Sequence, residues 1–188
     1  MIALPNIHTI LLDMDGVLVD DIDMSSQQDR LIKNMKDHLN VLKIFGMKES
    51  YVAPLIQEAI KNKGFLKAKP TLFAVVVKDI LLPFWKEKGI NVEILSSTMK
   101  LNPLRKDLEQ QKLQWLTNNK LDNLKVNLVE GSAKKQEFAK DGVLLIDDYD
   151  RTIAQFISNG GYAIQYTTLT EVMNKLKLIG LSTELALN

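Results

Sequence analysis

Hydrophobic and polar positions follow two rhythms along this chain. Short apolar runs recur in "HTILLD", "NVEILS", "LKVNLV", "GVLLID" and "YAIQY", each bounded by polar or glycine-containing stretches. Runs of this length and composition read as strands. The uninterrupted "TILL" and "VLLI" suit strands buried on both faces, as in a parallel sheet. Between the runs the apolar period lengthens to that of a helix. "TLFAVVVKDILLPFWKEKG" predicts a helix bent or interrupted near Pro83 and ending at Gly89. "NPLRKDLEQQKLQWLTNN" predicts a helix with Asn102 as N-cap and Pro103 in its first position. "DRTIAQFIS" and "TLTEVMNKLKLI" predict two more. The expectation is an α/β fold, a Rossmann-like parallel sheet flanked by helices.

Residues 20–69 break this alternation with two helical stretches in succession. Ser26 and Asp29 resemble a capping box, and apolar positions then recur at Leu31, Met35, Leu39, Leu42 and Ile44 until Gly46. "ESYVAPLIQEAIKNKG" gives a second helix ending at Gly64, and "FLKAKP" reads as a connector. The expected organisation is a core of residues 1–19 and 70–188 with a helical cap, 20–69, inserted after the first strand.

The polar positions at the strand ends change the picture most. "LLDMDGVLVDDID", residues 11–23, sets five aspartates within thirteen residues directly after the first strand. Like charges about 4 Å apart repel by roughly 1 kcal/mol even in bulk water, so such crowding calls for a cation, a phosphate or both. A second cluster, Asp147, Asp148 and Asp150, follows "VLLI"; the hydroxyls of Ser96, Ser97 and Thr98 follow "VEIL"; Lys134 and Lys135 follow "LKVNLV". In open α/β sheets ligands bind beyond the carboxyl ends of the strands, where all four groups fall.

These residue types suit phosphoryl chemistry with Mg2+. A hard cation takes carboxylate oxygens, here from Asp13 and Asp147 with a backbone carbonyl near Asp15. One carboxylate can attack phosphorus, and a second, with a raised pKa, can serve the leaving group as acid and water as base. Hydroxyls and a lysine can hold the non-bridging oxygens. Simpler roles compete for each residue. Asp150 reads as a helix start, Ser97 or Thr98 as caps, Asp148 as a turn former or a support for the lysine, and the two lysines as a solvated pair. A calcium loop is excluded, because Gly16 stands fourth and Met24 twelfth where an EF-hand needs Gly sixth and Glu twelfth.

Composition mainly excludes. The 188 residues carry 24 Lys+Arg against 23 Asp+Glu, a net charge of +1, so no global field gathers a nucleic acid polymer or an anionic membrane. The absence of cysteine rules out thiolate nucleophiles and disulfides. His8 and His38 stand too far apart in sequence to read as a metal pair. Without a basic leader or an apolar run near 18 residues, a soluble, cytoplasmic protein that binds no membrane is expected. The oligomeric state, a homodimer included, is not fixed by the sequence.

The four groups together resemble the motifs of the haloacid dehalogenase superfamily: "DMDGVLVD", "ILSS", Lys135 and "LLIDDYD", in order over residues 8–150. Within it, "GFLKAKP", "KLQWLTNN" and "GVLLIDDYDRTIAQFISNGGYAIQY" are similar to the 5'(3')-deoxyribonucleotidases and their phage and bacterial relatives. The resemblance implies a Mg2+-dependent phosphatase of small-molecule phosphomonoesters, nucleoside monophosphates above all. It implies Asp13 as nucleophile, Asp15 as general acid and base, and Asp13, Asp15 and Asp147 around the metal with Asp148 in support. Ser96, Ser97, Lys135 and Gly16 would surround the phosphate, Lys112 would add a phosphate-side contact, and Phe65 would stack near the base. Three departures stand against the nucleotidase pattern: "SST" in place of a hydroxyl pair followed by proline, "GFL" in place of "GFF", and two lysines, Lys134 and Lys135, competing for one role. A sugar-phosphate phosphatase and a non-catalytic nucleotide-binding module are the alternatives.

Overall fold

The computed structural model of the chain describes residues 6–20, 60–98 and 104–182. Five strands form one parallel sheet: β1 (Thr9–Leu12), β2 (Asn91–Thr98), β3 (Lys125–Glu130), β4 (Val143–Asp147) and β5 (Tyr162–Gln165). Their order across the sheet is β3-β2-β1-β4-β5. The chain works outward from β1 to β3 and then returns to the other side of β1. The direction therefore reverses between β1 and β4, whose carboxyl ends frame the crevice where such sheets bind ligands.

Alternation along the strands divides the core between the two faces. Ile10 and Leu12 of β1, Ile94 of β2 and Leu144 and Ile146 of β4 belong to a cluster that includes Phe73, Trp85, Trp115, Val172 and Leu176. Leu11, Leu95, Val143 and Leu145 point the other way, towards Phe156 and Phe138. The runs "TILL" and "VLLI" are thus strands covered on both sides, as expected, whereas the edge strands β3 and β5 are only partly buried.

The helices follow the sequence with local differences. After a short helix α1 (Gly64–Lys67), the segments Leu72–Val76, Val77–Leu81 and Leu82–Glu87 run on as one rod, α2. Its middle segment widens to π geometry just ahead of Pro83, and the Leu82 amide bonds the Val77 carbonyl five residues back. Proline has no N–H to continue the ladder, so the interruption expected near Pro83 is a local widening. Gly89, at φ +69°, ends the rod. The later helices are α3 (Arg105–Asn118), α4 (Asp150–Ser158) and α5 (Leu169–Leu178), with a 3₁₀ segment, Ser132–Phe138, between β3 and β4.

Gly64 does not end the preceding helix as expected. The chain turns at Asn62–Lys63, with Lys63 itself at φ +57°, and Gly64 opens α1 inside the stretch read as a connector. The expected cap falls mostly on residues 21–59, outside the described residues, as do the capping box at Ser26 and Asp29 and the Asn102–Pro103 start of α3. Residues on either side of 21–59 are tied together: the Asp20 amide donates to the Lys69 carbonyl at 2.8 Å and the Thr71 amide to the Leu18 carbonyl at 2.9 Å.

Candidate active site

The carboxyl end of β1 supplies the first group. Asp13 continues the sheet, its amide donating to the Ile146 carbonyl at 3.0 Å. It shares the parity of Leu11, which sends its side chain to the face covered by α4 and the 3₁₀ segment. Asp147, at the end of β4, shares the parity of Leu145 and points the same way. Between them lies Lys135 of the 3₁₀ segment, with Nζ 2.8 Å from Asp13 Oδ2 and 2.7 Å from Asp147 Oδ2. All three are almost wholly buried. The other oxygens are also held: Asp13 Oδ1 accepts from the Met14 amide at 2.7 Å, and Asp147 Oδ1 from the Tyr149 amide at 2.9 Å.

Asp148 completes an acidic triad. One oxygen each from Asp13, Asp147 and Asp148 lie within 4.8 Å of one another. Gly16 makes room for it: at φ +74°, a Cβ there would stand 2.3 Å from Asp148 Oδ2. The left-handed backbone favours glycine at this position, and a larger residue would displace the Asp148 carboxylate.

The electrostatics follow from crowding. Burial, together with repulsion from Asp147 and Asp15, outweighs the pull of Lys135 and pushes Asp13 up to about 6. Desolvation, then Asp13 and Asp147, push Asp148 up to about 7, although its edge stays open to water. For Lys135 burial works against the charge, but Asp13 and Asp147 outweigh it and raise the pKa. Three carboxylates against one ammonium leave two negative charges when all are ionised. A hard divalent cation fits that surplus and that all-oxygen donor set.

Asp15 faces elsewhere. Its Oδ2 takes the Lys112 ammonium as an ion-pair partner and accepts a longer bond, 3.3 Å, from the Ser96 hydroxyl. Ser96 shares the parity of Ile94 and so points to the face that α3 covers. Lys112, on α3, is 1% exposed; its Nζ also donates to Ser96 Oγ at 2.7 Å and the Ser97 carbonyl at 2.9 Å. The Phe65 ring lies over the same ammonium, 4.9 Å from its centroid, and meets Trp115 edge-on at 6.5 Å.

The arrangement brings together Asp13, Asp147, Asp148, Lys135 and Gly16 on one side, and Asp15, Ser96, Ser97 and Lys112 on the other. The two neighbouring lysines differ in burial. Lys134 pairs with Glu137 in solvent, while Lys135 turns inward. The carboxylates that converge are those of Asp13, Asp147 and Asp148, with the Asp15 side chain turned to Lys112. Phe65 is 3% exposed and embedded beside Trp115, rather than presented as an open aromatic face. Asp150 is the first residue of α4, with its carboxylate on the Arg151 amide. Sequence reasoning named Asp148 in support of the metal and Lys112 as a phosphate-side contact; the structure puts the Asp148 carboxylate in the converging set and pairs the buried Lys112 with Asp15. A separate cleft of about 590 Å3, lined by Ile60, Lys63, Leu66, Gln111 and Gln114 among others, includes none of these site residues.

No protein-family model matches the chain, and no curated protein matches it by sequence. Solved structures do match. A hydrolase from Streptococcus pneumoniae superposes with a TM-score of 0.55 at 14% identity, covering 92% of this chain and 99% of that one. L-2-haloacid dehalogenase from Xanthobacter autotrophicus gives a TM-score of 0.50 at 12% identity, covering 92% and 82%. The chain has the haloacid dehalogenase fold. On that fold the crevice between β1 and β4 carries Asp13 and Asp147, and the flanking segments deliver the two buried lysines. Among the described residues, no helix is long and apolar enough to cross a membrane.

Proposed function

We propose that the chain is a Mg2+-dependent phosphomonoesterase of the haloacid dehalogenase superfamily, and that nucleoside monophosphates are its substrates. One observation supports the reaction above others: Lys135 bridges Asp13 and Asp147 while Asp148 closes on the same point. A dianionic phosphate cannot approach an attacking carboxylate unless positive charge stands beside both. Lys135 supplies one such charge. Asp13, Asp147 and Asp148 would hold Mg2+, which when bound would offset the remaining negative charge of site and substrate.

The roles of the chain's own residues follow. An Asp13 oxygen forms a bond to phosphorus as the bond from phosphorus to the leaving oxygen breaks, its electron pair staying with that oxygen. Asp15 gives its proton to the leaving alkoxide. Water then attacks the aspartyl-phosphate and Asp15 takes a proton from it, which frees phosphate and restores Asp13. Ser96 and Ser97 line the phosphate side at the end of β2. A dehalogenase with the same fold has less use for this set, because a halide leaves without a proton and three converging carboxylates would go unbalanced.

The nucleotide as substrate rests on the likeness of "DMDGVLVD", "GFLKAKP" and "KLQWLTNN" to the deoxyribonucleotidases. The burial of Phe65 removes the aromatic face offered for the base and favours a second reading, a sugar phosphate or another small phosphorylated metabolite. Phosphate release from 5'- and 3'-nucleotides and sugar phosphates, with and without Mg2+, separates the two. Mg2+-dependent release from deoxynucleotides supports the first, and release only from sugar phosphates the second. Asp13→Asn should abolish turnover while leaving the thermal melt of a folded protein. Normal turnover in that variant would refute the covalent route.

A further inference from the structure

The ammonium of Lys112 has three N–H groups, and three oxygens take them: Asp15 Oδ2, Ser96 Oγ and the Ser97 carbonyl. None remains for a phosphate oxygen unless one of these bonds is given up. The side chain is 1% exposed beneath Phe65. A lysine so saturated and covered is badly placed to recruit substrate and well placed to hold its neighbours still. Its helix is also fastened to the chain returning from the insertion. Trp115 Nε1 donates to the Ala68 carbonyl at 2.8 Å, and Gln111 Nε2 to the Ile60 carbonyl at 2.7 Å. Asp15 meanwhile lies on the outgoing side, a few residues before the Asp20–Lys69 tie.

We infer that Lys112 is a positioning residue that aims the Asp15 carboxyl, and that Phe65 holds Lys112 in place from the return connector. The proton donor is thereby braced by α1, the short helix that follows residues 21–59, through Phe65 and Lys112. The inference deepens the phosphatase reading and rests on its assignment of Asp15 to the leaving group.

Leaving groups of different basicity provide the test. Phenyl phosphate and 4-nitrophenyl phosphate have similar shapes, but only the phenolate of the first needs a proton badly. Lys112→Met should lower kcat on phenyl phosphate by about 100-fold, within the range for a lost general acid. The loss on 4-nitrophenyl phosphate should be less than about tenfold, with KM for both nearly unchanged. Asp15→Asn should show the same contrast, and the double variant should lose little more, since two residues acting through one step are not additive. Phe65→Leu, which keeps the site covered and apolar, should show the contrast at reduced size. Equal losses on both esters, or a rise in KM alone, would overturn the inference in favour of a packing or phosphate-binding role.

A crystal structure of Lys112→Met provides a readout independent of turnover. The Asp15 carboxyl should swing out of reach of Ser96, and an unmoved carboxyl would overturn the inference whatever the kinetics. If the wild-type protein hydrolyses neither ester, the phosphatase reading falls. The position of Asp15 in that variant then decides the positioning role by itself.

Discussion

Lys112 and Lys135 are both about 1% exposed and both bind aspartate, yet their surroundings differ in kind. Lys135 lies between two buried carboxylates with a third close by, in a site where charge of one sign exceeds the other. Lys112 binds a carboxylate that is 52% exposed, then two neutral oxygens, under an aromatic ring. A buried charge facing buried charges is costly to remove, because its partners cannot retreat to water. A buried charge whose anionic partner reaches solvent mainly fixes direction. The first lysine therefore balances the site and the second aligns it.

The largest expected effect comes from deleting the balancing charge. Lys135→Met leaves Asp13 and Asp147 facing each other without a cation. Breaking a buried ion pair in this way costs about 3–5 kcal/mol, partly relieved as Asp13 takes up a proton. Urea denaturation without Mg2+ should show a loss of that order, and phosphate release should fall below detection. Lys112→Met should cost less, about 1–3 kcal/mol, the range for leaving buried polar partners without a donor, because Asp15 can turn to water. Equal destabilisation by the two variants would break the distinction.

The next effect concerns pH. The unfolded carboxyls titrate near 3.8, whereas Asp13 and Asp148 in the folded chain are pushed up to about 6 and about 7. The folded state thus holds these protons more tightly than the unfolded state. Their contribution to stability is complete below about pH 4 and is lost as pH rises through 6 and 7; the share from Asp148 is reduced by its contact with water. Magnesium binds the deprotonated carboxylates, so it should raise the thermal midpoint more at pH 8 than at pH 5. Melts at the two pH values, with and without Mg2+, check this. An equal shift at both would place the cation somewhere other than the triad.

Much of this was legible in the sequence, for reasons that also mark where it failed. Strands buried on both faces must be short and apolar throughout, so "TILL" and "VLLI" declared themselves, and acids directly after them had to fall in the crevice between β1 and β4. Pro83 signalled the local widening of α2 because its missing N–H acts locally. Lys112 was harder, since lysine on a helix normally faces water. The signal lay in its phase: Leu108, Lys112, Trp115 and Leu116 recur at helical spacing and are all buried, which puts the lysine on the apolar stripe. The burial of Phe65 beside Trp115 depends on how the return connector packs on α3. No local pattern encodes such a contact between distant segments.

The smallest effect falls next to the largest. Lys134 precedes Lys135 by one residue, and the sequence offered both for one role. In the folded chain Lys134 pairs with Glu137 at 2.6 Å, with more than half of each side chain in water. That hydrogen bond and the charge of Glu137 raise the lysine pKa. The pair gains little over hydration, since an exposed ion pair is screened by salt and must hold two long side chains in one geometry. Lys134→Ala should therefore leave the urea midpoint, the Mg2+ shift and phosphate release at their wild-type values. Loss of turnover there, with Lys135 intact, would mean that the 3₁₀ segment turns by one residue when substrate binds, and the balancing role would pass from Lys135 to its neighbour.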